Sequence, residues 1–71
     1  MNQEEVFKFL KDLAEEMGIE DLTLDTVMFE RMDSLDYLDL SFEIENKYNV
    51  SINEGLPKSA TIQDIIDFIL K

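Results

Sequence analysis

Apolar residues recur at helical spacing in three separate segments of this chain. In residues 3–17 five of them fall on one side of a helix, namely Val6, Phe9, Leu10, Leu13 and Met17. Asn2 stands in the N-cap position, Glu4 and Glu5 occupy the first turn, and Gly18 follows the last turn. These are the usual signals of helix boundaries, so we predict a first helix that forms one wall of the core.

Residues 19–32 contain apolar side chains without a clear period. The apolar positions are Ile19, Leu22, Leu24, Val27 and Phe29, and they lie among acidic residues. A loop of this length in so small a protein usually has a function or closes over the core. We therefore predict a long loop between the first two main helices, held against the protein by its apolar residues.

The pattern of residues 34–48 is ambiguous between strand and helix. Leu38, Leu40, Phe42 and Ile44 alternate with polar residues, as in an edge strand. However, the segment contains no Gly or Pro, it is longer than a typical strand, and Asp33 offers an N-cap with Asp36 three residues later. We interpret it as a helix.

On a helix that turns by about 100° per residue, the apolar residues of this segment separate into two stripes. The first stripe consists of Tyr37, Leu40, Ile44 and Tyr48, and the second stripe, nearly opposite, consists of Leu35, Leu38 and Phe42. Asp36, Asp39 and Glu43 run beside the second stripe. A small bundle buries one face of such a helix, so we assign the first stripe to the core and the second stripe, with its carboxylates, to a partner-binding surface.

The last third of the chain predicts one short element and one helix. Val50-Ser51-Ile52 is a short extension, and Gly55-Leu56-Pro57 permits a turn or a single helical turn. Thr61 and Asp64 resemble a capping box at the start of a final helix. Its apolar side carries Ile62, Ile65, Ile66 and Ile69.

Together these segments predict an all-α protein: a small bundle of three main helices plus one short irregular element. The expected core consists of Phe9, Leu10, Leu13, Leu40, Ile44, Tyr48, Ile62, Ile65 and Ile69. With 71 residues, we expect a single domain that spans residues 1–71.

The charge restricts the kinds of partner. The chain has 17 acidic and 6 basic residues, giving a net charge of −11. Nucleic acid and anionic membranes are disfavoured, because binding to phosphates depends on Lys and Arg, whereas proteins with basic patches are favoured. The chain contains no cysteine, its start lacks the positive and apolar regions typical of a leader sequence, and no apolar run is long enough to cross a bilayer. We expect a soluble, monomeric, cytoplasmic protein that is complete from Met1.

Catalysis by the protein's own side chains is not expected. Without His or Cys, a serine nucleophile lacks its usual base, and so small a bundle offers little volume for a substrate pocket. Asp33, Asp36 and Asp39 are spaced by three and do not form a calcium loop, which needs alternating ligands and a central Gly. We predict neither an enzyme nor a specific metal site.

Ser34 is the residue with a distinctive setting. If Asp33 is the N-cap, Ser34 occupies the first helical position, where unpaired N–H groups and the helix dipole favour an attached phosphate. From Asp-Ser-Leu alone, a shared capping role for Ser34 is the simpler interpretation.

The surrounding residues change this interpretation. Asp33-Ser34-Leu35-Asp36, the spaced apolar residues Leu38, Leu40, Phe42 and Ile44, and then Glu45, Tyr48, Val50 and Ile52 closely resemble the second helix and following segment of acyl carrier proteins. The similarity in organisation extends over nearly the whole chain.

The resemblance implies a function for the serine. In that family a phosphopantetheinyl transferase uses coenzyme A to attach 4′-phosphopantetheine to the residue matching Ser34, and the terminal thiol of the arm carries acyl groups as thioesters. Asp33 would cap the helix beside it. The resemblance places partner recognition, by acyl-processing enzymes, at Leu35, Asp36, Leu38, Asp39, Phe42 and Glu43.

Two positions depart from the family pattern. Arg31 stands where the family usually has Gly, so we expect strain or an altered path into the modified helix, with a positive charge beside Ser34. Gly55 and Pro57 interrupt the family's third helix. These departures leave open a specialised pathway rather than housekeeping fatty-acid synthesis.

Two other hypotheses remain at this point. An unmodified acidic helical module that mimics nucleic acid or inhibits a basic protein would explain the charge. A carrier of aminoacyl or peptidyl groups would use the same serine for a different cargo.

Overall fold

The computed structural model describes residues 2–71, so the expectation about Met1 lies outside the described residues. It consists of five helices: α1 (Gln3–Glu16), α2 (Met28–Arg31), α3 (Ser34–Tyr48), α4 (Ile52–Gly55) and α5 (Ile62–Leu70). The three long helices α1, α3 and α5 are the three main helices predicted from the sequence. Within residues 2–71, no helix combines the length and the apolar character needed to cross a membrane.

Helix α1 begins and ends where its boundary signals predict. The Asn2 side chain accepts a hydrogen bond from the Glu5 N–H at 2.9 Å, which satisfies one of the first-turn donors. At the other end Gly18 adopts a left-handed backbone with φ of 87°. This conformation is readily accessible to Gly and turns the chain away from the helix.

The prediction that residues 19–32 lack helix is wrong at Met28–Arg31, where a four-residue helix interrupts the loop. This turn directs Met28 into the core, where its side chain is fully buried. A single turn has too few positions to establish a helical period, so burial of Met28, rather than local sequence, accounts for it.

The predicted attachment of the loop to the protein is confirmed. Ile19 and Leu22 are buried, and the loop backbone bonds to the start of α5. The N–H groups of Ile62 and Gln63 donate to the carbonyls of Thr26 at 2.8 Å and Leu24 at 3.0 Å. First-turn N–H groups have no partner inside their own helix, so the loop supplies the acceptors that α5 lacks.

Helix α5 has the predicted capping box. The Asp64 N–H donates to the Thr61 hydroxyl at 3.2 Å, and the Thr61 N–H donates to the Asp64 carboxylate at 3.0 Å. Before it, α4 is a single turn followed by Leu56 and Pro57, as the sequence predicts. A Cβ added to Gly55 would lie only 2.2 Å from the Phe68 ring, so Gly at this position permits α5 to pack closely against α4.

The core lies between α1, α3 and α5. Seven of the nine predicted core residues are buried, namely Leu10, Leu13, Leu40, Ile44, Ile62, Ile65 and Ile69. Phe9 and Tyr48 are only partly buried and meet edge to face, with ring centroids 5.5 Å apart. Both aromatic rings lie at the rim of the core, whereas the side chains of Met28 and Ile52 occupy its interior.

Candidate functional site

Ser34 is the first residue of α3 and is exposed to solvent. Asp33 is the N-cap: its carboxylate accepts a hydrogen bond from the Asp36 N–H at 2.9 Å, and its carbonyl accepts one from the Tyr37 N–H at 3.0 Å. The capping role is thus filled by Asp33. The Ser34 hydroxyl has no hydrogen-bond partner in residues 2–71, which leaves it accessible to an incoming group.

The backbone around Ser34 favours a negatively charged group. The N–H groups of Ser34 and Leu35 have no acceptor within α3, and α3 contributes the positive end of its dipole. α3 has 15 residues, so its dipole is well developed at this end. A phosphate attached to the Ser34 oxygen would lie beside these donors.

The two stripes of α3 lie where the sequence predicts. In the first stripe, Tyr37 is 4% exposed, and Leu40 and Ile44 are fully buried. In the second stripe, Leu35 is 73%, Phe42 is 55% and Leu38 is 40% exposed. The carboxylates of Asp39 and Glu43 are exposed beside the second stripe, and Asp36 is half-buried near the start of the helix.

A groove of about 260 Å³ opens directly beside Ser34. Its walls come from α2, α3, α4 and the segment before α5: Phe29, Ser34, Leu35, Tyr37, Leu38, Asn53 and Lys58. The Phe29 ring lies edge to face on Tyr37 at 5.1 Å between centroids, and the Lys58 Nζ lies 5.0 Å from the Phe29 ring centroid.

The sequence did not indicate that Phe29, Asn53 or Lys58 would lie near Ser34. Phe29 carried only a weak signal, as an apolar residue in the loop before the Asp-Ser-Leu motif. Asn53 and Lys58 are far from Ser34 in sequence, and no local pattern indicates that folding brings them to the same groove.

The expectation of strain at Arg31 is wrong. Arg31 is the last residue of α2 and has no left-handed backbone; among residues 2–71 the only residues with positive φ are Gly18 and Asn49. Arg31 therefore causes no strain, because a helical turn leads into α3. Its guanidinium donates to the Asp21 carboxylate at 2.6 Å. The charge is therefore paired with Asp21, and the hydrogen bond from Arg31 lowers the pKa of Asp21.

The sequence matches the family described as the phosphopantetheine attachment site over residues 8–69. The match covers most of the chain, so the protein belongs to this family. Members carry a covalently attached 4′-phosphopantetheine group, so the chain has the role of a phosphopantetheine carrier, and such carrier domains are generally not catalytic. No curated protein and no solved structure matches the chain.

The residues around Ser34 fit this prosthetic group. The site offers an exposed, unpartnered hydroxyl, helix N–H donors for a phosphate, and an adjoining groove with aromatic and aliphatic walls. The family match also favours the carrier hypothesis over an unmodified acidic module, because such a module requires no attachment site.

Proposed function

We propose that this protein is an acyl carrier protein that bears 4′-phosphopantetheine on Ser34. It presents acyl groups to partner enzymes of fatty-acid, lipid or polyketide-type synthesis. The observation that carries the proposal is the exposed Ser34 hydroxyl at the first position of α3, next to an exposed apolar stripe bordered by carboxylates.

The prosthetic group supplies a terminal thiol that holds the acyl cargo as a thioester, which the cysteine-free chain cannot supply itself. The protein's own residues have three tasks. Asp33 fixes the start of α3, Ser34 provides the attachment oxygen, and the second stripe provides a docking surface for partner enzymes.

The docking surface combines apolar contact with long-range attraction. Leu35, Leu38 and Phe42 supply side chains that a partner can bury, and Asp36, Asp39 and Glu43 supply negative charge. Because the whole chain carries a charge of −11, basic partner surfaces are attracted before contact. We propose that phosphopantetheinyl transferase and the acyl-processing enzymes bind here.

Attachment is tested by incubating the protein with coenzyme A and a broad-specificity transferase, followed by intact mass measurement. The wild-type protein should gain one phosphopantetheine and Ser34→Ala should gain none. Ser59→Ala is the matched control, because Ser59 is also exposed but lies outside any long helix, and it should be modified like the wild type. Modification of Ser34→Ala would refute the proposed site.

Docking is tested by measuring the transferase kcat/KM for variants of exposed apolar residues. Leu38 and Leu70 are matched, with 40% and 37% of their surface exposed, and only Leu38 belongs to the second stripe. We expect Leu38→Ala and Phe42→Ala to lower kcat/KM by about tenfold, the effect of an interface residue that contributes more than 1 kcal/mol. Leu70→Ala should have no effect, and equal losses in all three variants would contradict the docking surface.

The cargo distinguishes the acyl carrier from the aminoacyl or peptidyl alternative. The acid-rich flanks of Ser34 favour the acyl type. Mass spectrometry of thioesters released from protein purified from its own host should identify fatty or related acyl chains. Amino acids or peptides on the arm would require the alternative assignment.

We also propose that the carrier acts as a cytoplasmic monomer. A net charge of −11 opposes association of two copies, which supports the monomer. Sedimentation velocity should give a single species of 8.3 kDa for the unmodified chain. A concentration-dependent dimer would contradict this part of the proposal.

A further inference from the structure

The basic side chains of this protein are few, and three of them have partners that do not line the groove beside Ser34. Lys8 pairs with Asp12 at 3.3 Å and Arg31 pairs with Asp21. Lys47 lies over Phe9 and Tyr48, at the opposite end of α3 from Ser34. Among the described residues, Lys58 is the one cation that lines the groove beside Ser34.

A phosphate on Ser34 would enter a strongly negative environment. Asp33 and Asp36 lie within two residues of the attachment point, and the chain as a whole carries a charge of −11. The helix N-terminus offers only partial positive charge, and its influence is confined to the first turn. A full positive charge in the adjoining groove would compensate the added negative charge most directly.

The position of Lys58 in the unmodified protein leaves it available for this purpose. Its Nζ lies 5.0 Å from the Phe29 ring centroid, and it forms no ion pair within residues 2–71. An exposed cation–π contact is weak, whereas a contact between an ammonium and a phosphate is a charge-assisted hydrogen bond. The flexible lysine stem allows the ammonium to exchange one contact for the other.

We propose that Lys58 is the positioning residue for the phosphate of the arm on Ser34. On modification its ammonium leaves the face of Phe29 and pairs with the phosphodiester, which uncovers the ring as an apolar wall for the arm. Lys58 thereby directs the arm along the groove rather than into solvent. This inference rests on the proposed function, because it requires the arm on Ser34.

The test compares phosphorus NMR spectra of four modified proteins: wild type, Lys58→Gln, Lys58→Arg and Lys47→Gln. Lys47→Gln is the matched control, since it also removes an exposed cation from an aromatic ring but far from the groove. Intact mass first verifies one phosphopantetheine on each protein. The phosphodiester chemical shift is then followed from low to high salt, and NOEs are measured between the methyl protons of the arm and the Phe29 ring protons.

In the wild type, the phosphorus resonance should move with salt as the ion pair is screened, and the NOEs to Phe29 should be present. Lys58→Gln should lose most of the salt-dependent shift and the NOEs, Lys58→Arg should retain both, and Lys47→Gln should match the wild type. A Lys58→Gln spectrum identical to the wild type, or equal changes in Lys47→Gln, would overturn the role of Lys58.

The two proposals fail in distinguishable ways. If the mass measurement finds no phosphopantetheine on Ser34, the proposed function and the role of Lys58 are both refuted. If Ser34 is modified but the phosphorus resonance does not respond to Lys58, the carrier function stands and only this inference is refuted.

Discussion

The two apolar stripes of α3 are made of similar side chains on one helix, yet they lie in opposite environments. Leu40 in the first stripe is fully buried, whereas Leu38 in the second stripe, two residues earlier, is 40% exposed. Burial is therefore decided by the position of the neighbouring elements, because α1 and α5 complete the core on one side of α3 only. The exposed stripe is apolar without contributing to the core, and this contrast supports our proposal that it is a docking surface.

The comparison predicts that the first stripe supports folding and the second stripe supports binding. The sharpest test is the pair Leu40→Ala and Leu38→Ala. Removing the buried Leu40 side chain should lower the free energy of unfolding by about 2 to 5 kcal/mol, while removing the exposed Leu38 side chain should change it by less than about 0.5 kcal/mol. Urea unfolding measures the free energy of unfolding of both variants. Equal losses would contradict the assignment of the first stripe to folding and the second stripe to binding.

The close contact between α4 and α5 should make the protein sensitive to added atoms at that contact as well. Gly55→Ala places a Cβ 2.2 Å from the Phe68 ring, and the resulting overpacking should lower the free energy of unfolding by about 1 to 3 kcal/mol. Enlarging the 73% exposed Leu35 to Phe should change it by less than about 0.5 kcal/mol. Thermal unfolding measures both variants.

A second variant identifies the cause of the Gly55→Ala effect. In a Phe68→Leu background the clash is relieved, so Ala at position 55 should no longer destabilise the protein, because Ala favours helix over Gly. If Gly55→Ala destabilises equally in both backgrounds, contact with Phe68 is not the reason.

The carboxylates beside the second stripe should reduce the stability of the isolated protein. Asp39 lies three residues after Asp36 and four before Glu43, so like charges adjoin it on both sides. We expect Asp39→Asn to raise the free energy of unfolding by about 0.2 to 0.5 kcal/mol at low salt and to have no effect at high salt. Asp21→Asn is the control with the opposite sign, since it removes the partner of Arg31. A destabilised Asp39→Asn protein would contradict the expected repulsion among these carboxylates.

The smallest expected effect concerns Tyr37 in the first stripe. Burial raises the pKa of its hydroxyl above the ordinary value of 10.0. The neutral phenol is therefore favoured in the folded protein. The stability that the neutral Tyr37 phenol contributes is complete below pH 10.0 and is lost as the pH rises through the folded-state pKa.

Urea unfolding across the alkaline range should detect this loss as a difference between two pH profiles. Tyr37→Phe should lose less stability above pH 10.0 than the wild type, because both proteins keep the same lysines and only one loses this phenol proton. Parallel pH profiles would show that burial does not raise the pKa of Tyr37, which would contradict the placement of Tyr37 in the buried first stripe.

Much of the fold could be predicted because its signals act over three or four residues. The N-caps Asn2, Asp33 and Thr61 bond to backbone N–H groups three residues later, so they mark helix starts in the sequence itself. The same short range explains why both stripes could be read from spacing. The position of Ser34 at the start of α3 was predictable for this reason.

The sequence alone therefore determined the three main helices, their faces and the setting of Ser34. Only the tertiary structure decided the helical turn of α2, the pairing of Arg31 with Asp21, and the groove that Phe29 and Lys58 line together with Ser34. Lys58 and Ser34 are 24 residues apart, and Phe29 lies on a helix too short to have a period. Their meeting depends on how the helices pack around Met28 and Ile52, and packing of that kind leaves no periodic signal in the chain.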